Sequence, residues 1–330
     1  MTQHDAEKVR GYEQLPIPFG WFAVALSDEI APGEVKTLNY FDTEFVVWRG
    51  QDGEIHATDP FCPHLGAHLG QGEVIGDDLR CIFHHWSFNG EGGVTDIPYA
   101  KMVPPKLKRA CLPMWHIKET LGVVFVWYHP RKIAPKWELA TADIITEENW
   151  VMAERHEWII NIHCQEITEN GQDYPHFRAV HGTQGPPASA FKIEGWTRRS
   201  TVETEMVTPR GPMIGKIDAL AVGPGQSFTR FTDVTDVFMV QQVTPIDSER
   251  CHLRWQLFHP PGISDGKMRV NAARMRDLVK QVVQDIPIWE RKRYAAQPLL
   301  VDGDGPILAY RKQYARYYQF DDPQESSAAA

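Results

Sequence analysis

The chain carries "CPHLGAHLG" at residues 62–70 and "CIFHHW" at residues 81–86, and the reading of these two stretches decides the fold. Each sets one cysteine and one histidine on a short turn: C-x-H at Cys62 and His64, sixteen residues, then C-x-x-H at Cys81 and His84. Four soft or borderline ligands on two loops point to a metal. Structural zinc is one reading, but zinc fingers tend to pair Cys with Cys and His with His. Two equivalent mixed loops suit a two-iron centre in which two thiolates hold one iron and two imidazoles the other. Neutral imidazole in place of thiolate removes negative charge from its iron and raises the potential at which that iron accepts an electron. The neighbouring His68 and His85 read as surface or packing residues rather than ligands.

Outward from these loops, residues 21–128 alternate in short apolar runs. "WFAVAL", "EVKTLNYF", "EFVVWRG", "EIHATD" and "VVFVWYH" are strand-sized and separated by Gly, Asp and Pro turns. An all-β module follows, expected over 18–130, with "RKIAPKW" (131–137) as the linker that breaks the alternation. The second half changes character. "EWIINIHCQEI" runs into "TENGQDYPHFRAVHG", which has helical spacing around a proline, and a long region of strands follows. Within it, "TDVFMVQQVTPIDSERCHLRWQLFHPP" reads as a hairpin turning near Asp247. Residues 267–294 carry a helical period despite Pro287. The expectation is an α+β chain: a β domain at 18–130, a larger domain at 131–320 built from a curved antiparallel sheet and a C-terminal helix, and a disordered tail at 321–330.

Composition narrows the function classes. Of 330 residues, 42% are hydrophobic and 23% charged, enough for a sizeable core. A net charge of −9 argues against broad electrostatic affinity for nucleic acid or an anionic membrane. The N-terminus is polar, without the apolar stretch of a secretory signal, and "LGVVFVWY" from Leu121 is too short to span a bilayer. A cytoplasmic protein is expected. Five cysteines, an odd number, argue against a disulfide scaffold, so Cys111, Cys164 and Cys251 read as small buried apolar residues.

A second metal site is suggested by D-x-x-H-x4-H at Asp173, His176 and His181. Asp173 and His176 share a face if the segment is helical. His176 and His181, five apart, do not share one on a straight helix; either the helix is distorted or the pair shares no ligand. On the C-terminal helix, Leu278, Val282 and Trp289 define a buried stripe on which Asp285 also lies. An ionised carboxylate there must be paired or bind a cation. An arginine partner is one solution. The other is that Asp285 joins His176 and His181, since two histidines and a carboxylate leave open positions on Fe(II).

The two loops resemble those of Rieske [2Fe–2S] domains in spacing and in their Gly, Leu and Trp neighbours, although Ile82 stands where that family commonly has proline. With D-x-x-H-x4-H and the aspartate of "QDIPIW", the order of motifs resembles Rieske non-haem iron oxygenases from about Trp21 to Tyr318. "IPYAK", "HFRAVHG" and "QPLLVDGDGPILAYRKQYARYY" look closest to the branch of 3-ketosteroid 9α-hydroxylase oxygenase components and cholesterol 7-desaturases. That resemblance implies a cluster on Cys62, His64, Cys81 and His84, and a mononuclear iron on His176, His181 and Asp285. It also implies Asp173 as a bridge between a Rieske histidine and an iron-ligating histidine of neighbouring subunits in a homotrimer, with Asn170 beside the iron. Oxygen and a hydrophobic polycyclic substrate, a steroid first, are implied, with aromatic hydroxylation or O-demethylation as the alternative within the family. No G-x-G-x-x-G opens a helix and no flavin signature is present. Electrons are therefore expected from a separate NAD(P)H-dependent flavin or iron–sulfur reductase, directly or through a ferredoxin. A Rieske electron carrier whose second half merely binds a ligand is the reading from another class.

Overall fold

In the computed structural model, which describes residues 10–12, 15–182, 184–208 and 211–321, the alternating runs of the first half become ten strands in three antiparallel-rich sheets. They are β1 (Gly20–Leu26), β2 (Val35–Tyr40), β3 (Thr43–Arg49), β4 (Ile55–Thr58), β5 (Glu73–Ile75), β6 (Asp78–Arg80), β7 (Ser87–Phe88), β8 (Val94–Asp96), β9 (Ile117–Thr120) and β10 (Val123–Tyr128). The sheet orders are β1-β10-β9, β2-β3-β4 and β5-β6-β7-β8. Strands this short hold together because β3, β6, β7 and β8 turn Val46, Trp48, Leu79, Phe88 and Val94 into one core that Leu69 and Leu112 complete. The β2–β3 hairpin turns through Phe41 and Asp42, both left-handed at φ +60° and +56°. A buried phenylalanine tolerates that conformation because its ring stacks on Tyr128 at 4.5 Å and packs near Trp115 and Phe22.

The second half supplies α1 (Asp143–Glu147), β11 (Val151–Ile160), α2 (Cys164–Asn170), α3 (Tyr174–Ala179), β12 (Gln184–Glu194), β13 (Thr197–Thr208), β14 (Gly211–Val222), β15 (Gln226–Thr232), β16 (Asp236–Pro245), β17 (Cys251–His259), α4 (Asp265–Trp289) and α5 (Ile307–Tyr314). Seven strands form one antiparallel sheet in the order β11-β17-β16-β15-β14-β13-β12. The hairpin expected near Asp247 is β16–β17, its turn fastened by the Asp247 carboxylate, which accepts from the backbone N–H groups of Glu249 and Arg250. Helix α4 buries Asn271, Met275, Leu278, Val282, Asp285 and Trp289, a run of alternating four- and three-residue steps that places one face against the sheet's core. Pro287 lies two residues from its end, so the carbonyl it leaves unbonded belongs to the half-exposed Val283.

Two compact units divide the chain, Trp21–Leu139 and a larger one that joins Ala140 onward with the residues up to Gly20. These limits differ from 18–130 and 131–320 for two physical reasons. The "RKIAPKW" segment stays with the small unit, because the Trp137 carbonyl accepts from Trp21 Nε1 at 2.9 Å and its ring meets Trp127 edge-on. Ahead of β1, Arg10 is tied to the large unit. Its guanidinium donates to the carbonyls of Trp289, Lys292 and Asn161 at 2.8, 3.0 and 2.8 Å, which places a cation over the carbonyl end of α4. Of the expected tail, residues 322–330 lie outside the described residues. Among the described residues, no helix is long and apolar enough to cross a membrane.

Candidate functional sites

The two Cys-His loops are copies of one turn. Cys62 N–H donates to Ala67 O and Cys81 N–H to Trp86 O, at 2.8 and 2.9 Å. Gly66 N–H returns to Cys62 O and His85 N–H to Cys81 O, at 2.9 and 3.0 Å. The fifth residue of each turn is left-handed, Gly66 at φ +75° and His85 at φ +57°. His85 thus fills a backbone role, and His68 caps a short 3-10 turn by accepting from Gly70 N–H at 3.1 Å, so both have structural work. His64 and His84 leave the turns at successive positions and come together with ring centroids 4.7 Å apart, and His64 stacks flat on Trp86 at 4.5 Å.

Cys62 and Cys81 belong to the core of the small unit, while the two imidazoles are half-exposed. Burial pushes the Cys62 thiol up and the charge of Cys81 adds to that, so two thiolates side by side here require a cation to hold them. This donor set fits a cluster with its thiolate iron inside and its imidazole iron at the surface. Around the imidazoles, Leu65, Ile82, Phe83 and Tyr99 are exposed by 65, 54, 59 and 63%.

In the large unit, "TENGQDYPHFRAVHG" breaks into two helices. Gly171 ends α2, and Pro175 stands in the first turn of α3, where no backbone N–H is needed. His176 lies on α3. His181 follows its end, in a turn closed by Gly182 at φ +73° and by Gly182 N–H donating to Arg178 O. The five-residue spacing therefore need not obey helical periodicity, and the ligand atoms of His176, His181 and Asp285 all lie within 4.8 Å of one another.

The protons around this triad are assigned by their acceptors. His176 Nδ1 donates to the Asp173 carbonyl, and His181 Nδ1 donates to Gln284 Oε1 at 3.2 Å. Both Nε2 lone pairs are thereby aimed inward. His181 Nε2 faces Asp285 Oδ1 at 3.4 Å, while Asn170 Nδ2 donates to Asp285 Oδ2 at 3.0 Å and to His176 Nε2 at 3.1 Å. Asp285 is only 6% exposed, and its partners are Asn170 and His181 rather than an arginine. Burial pushes His176 down. Burial also pulls on His181, but the hydrogen bond and charge of Asp285 outweigh it and the net shift is upward. Three acceptors converging in a buried place, with one attracting a proton, are what a divalent cation relieves. Two imidazoles and a carboxylate on one side suit Fe(II) with open positions.

Asp173 meets His176 through its backbone carbonyl, whereas the sequence reading assigned that contact to the carboxylate. Gln284, the partner of His181, was missed although it adjoins Asp285 in sequence.

The triad opens on a cavity of about 1190 Å³, its mouth included. Residues of five strands line it in cross-strand rows. Arg198, Ala221, Ser227, Gln241 and Trp255 form the first; Ser200, Ala219, Thr229 and Met239 the second; Val202, Ile217 and Phe231 the third. Small side chains on β14 and β15 leave the space, and the rows grade from polar to apolar along the strands. Leu278, Val282 and Trp289 of α4 form part of the opposing wall.

Residues 20–108 match the Rieske [2Fe-2S] domain, and residues 126–318 match the family described as 3-Ketosteroid 9alpha-hydroxylase C-terminal domain. The chain belongs to this family of Rieske non-haem iron oxygenases. It is 29% identical to cholesterol 7-desaturase nvd of Xenopus laevis, over 93% of this chain and 73% of that one. It is 30% identical to a 3-ketosteroid-9-alpha-monooxygenase oxygenase component of Rhodococcus rhodochrous, over 91% of this chain and 83% of that one. The fold is also that of dicamba monooxygenase bound to dicamba, with a TM-score of 0.69 at 16% identity over 94% of this chain and 98% of that one. The chain is thus a terminal oxygenase component with a Rieske [2Fe–2S] cluster and a mononuclear non-haem iron, and such components draw electrons from a separate NAD(P)H-dependent reductase.

Proposed function

We propose that this chain oxidises a hydrophobic polycyclic substrate, a steroid first of all, on an Fe(II) held by His176, His181 and Asp285. The carrying observation is that this triad sits in the wall of a cavity whose sheet face passes from polar Arg198 and Gln241 to apolar Val202, Ile217 and Phe231. The steroid assignment is supported by the relatives named for 3-ketosteroid hydroxylation and cholesterol desaturation.

Bound in these sites, the cluster supplies single electrons and the iron activates dioxygen. The chain's own residues do the positioning. Gln284 Oε1 and the Asp173 carbonyl hold the Nδ1 protons and keep both Nε2 atoms turned inward. Asn170 fixes the Asp285 carboxylate, and Leu278, Val282 and Trp289 help exclude water from that wall. Cys62, Cys81, His64 and His84 hold the cluster.

Asp173 is the bridge in a homotrimer, its backbone carbonyl on His176 and its carboxylate on His84 of the partner subunit. The exposed apolar rim of Leu65, Ile82 and Phe83 around the imidazoles supports burial of this edge against a neighbouring chain or a reductase, reached directly or through a ferredoxin.

The test is oxygen uptake by the reduced protein with a panel of steroids and small aromatic acids and ethers. Steroid-dependent uptake with a hydroxylated or desaturated product is expected. Uptake with small aromatics alone overturns the steroid assignment.

A further inference from the structure

Arg198 brings the only Lys or Arg side chain to the walls of this cavity among the described residues. It has no carboxylate partner and no hydrogen bond among the described residues, a costly state for a half-buried cation. What holds it is the Tyr310 ring, over which its guanidinium lies at 4.8 Å. Tyr310 is fixed in turn, donating to Gln165 O at 2.8 Å and sharing a hydrogen bond with Thr168 Oγ1. Stacking uses the face of a guanidinium and leaves its N–H edge available, and that edge matches a carboxylate in two parallel hydrogen bonds.

The register places this group at one end of a ladder. Arg198 opens the polar row, and Val202, four residues along the same strand, opens the apolar one about 13 Å away by strand rise. One cation without a second beside it balances a monoanion rather than a phosphate dianion. We infer that the substrate is amphipathic, a rigid apolar body ending in a carboxylate, and that Arg198 selects it by pairing with that carboxylate. The inference rests on the reading of this cavity as the substrate site, and it holds for a steroid acid or for another polycyclic acid.

The experiment measures binding by calorimetry to the anaerobic holoenzyme. The probes are a steroid with a side-chain carboxylate and its methyl ester, and a naphthoic acid with its methyl ester. For at least one skeleton, the acid is expected to bind roughly tenfold or more tighter than its ester, the effect of a charged hydrogen bond. Arg198→Met should bring acid and ester to near parity by weakening the acid alone, and Arg198→Lys should fall between.

Equal binding of acid and ester by the wild type overturns the inference, as does an Arg198→Met variant that loses both ligands equally. If Arg198→Met does not fold, the wild type decides: its preference for the acid must collapse as pH falls below the carboxyl group's own pKa, and persistence there refutes the pairing. A preference shown only by the naphthoic pair removes the steroid assignment and leaves the role of Arg198 standing.

Discussion

Arg311→Met should cost the catalytic unit much of its stability while sparing the cluster. Arg311 on α5 grips Glu169 on α2 through two parallel bonds, Nε to Oε2 at 2.6 Å and a terminal nitrogen to Oε1 at 2.7 Å. The side chains are 13 and 8% exposed, and the guanidinium also covers the Tyr294 ring at 4.8 Å. Removing the cation strands a buried carboxylate next to Asn170, a loss of about 3–5 kcal/mol for a fully buried pair. Residual exposure of the arginine and the nearby Lys292 put the expected value at the low end, about 3 kcal/mol. For a unit of this size that is a fall of roughly 6–12 °C in Tm. Scanning calorimetry with parallel absorbance separates the units, since unfolding of the small one bleaches the cluster. Glu169→Leu combined with Arg311→Met should recover part of the loss, because no lone charge is then left buried. A fall of less than about 2 °C, or a double variant no better than the single one, would refute the account.

Asp285→Ala should hold one iron fewer per chain than the wild type with the cluster's visible absorbance intact; full iron in that variant would move the third ligand elsewhere. Asp173→Ala should keep both metal centres yet lose NADH-coupled turnover, and a normal rate would remove the proposed bridge. Glu166, wholly buried beside Lys292, has its pKa raised by burial against the opposing pull of the ammonium. The folded state therefore binds that proton more tightly than the unfolded chain does. Its stabilising effect is complete below the ordinary carboxyl value near 4.5 and is lost as pH rises through the folded value. Denaturant titrations should show wild-type stability declining across that window relative to Glu166→Gln, and parallel curves would dismiss Glu166 as the source.

The sequence was most informative where the proposed ligands lie close together along the chain. Cys62, His64, Cys81 and His84 are readable because two tight turns deliver them, and the stripe through Leu278, Val282 and Trp289 exposed Asp285 as a polar intruder. His176 and His181 looked incompatible on one helix, since spacing alone does not reveal that α3 stops at Ala179. Arg198 was invisible for a deeper reason. Its surroundings are assembled from neighbouring strands and α5, and Tyr310, under its guanidinium, comes from a distant part of the chain. The attachment of Arg10 to the end of α4 likewise joins residues 279 positions apart, which no local pattern encodes.

The hydrogen bond from Trp21 to the Trp137 carbonyl means that the small unit starts and finishes at one spot. The electron-carrying module is therefore a cassette spliced into a host whose opening residues and remainder flank it. During synthesis the host's first segment must wait on the ribosome until α4 has emerged before Arg10 finds its carbonyls, while the cassette can take up its irons earlier. Such a layout lets the redox module be exchanged or retuned as a plug-in without redrawing the oxidation chamber.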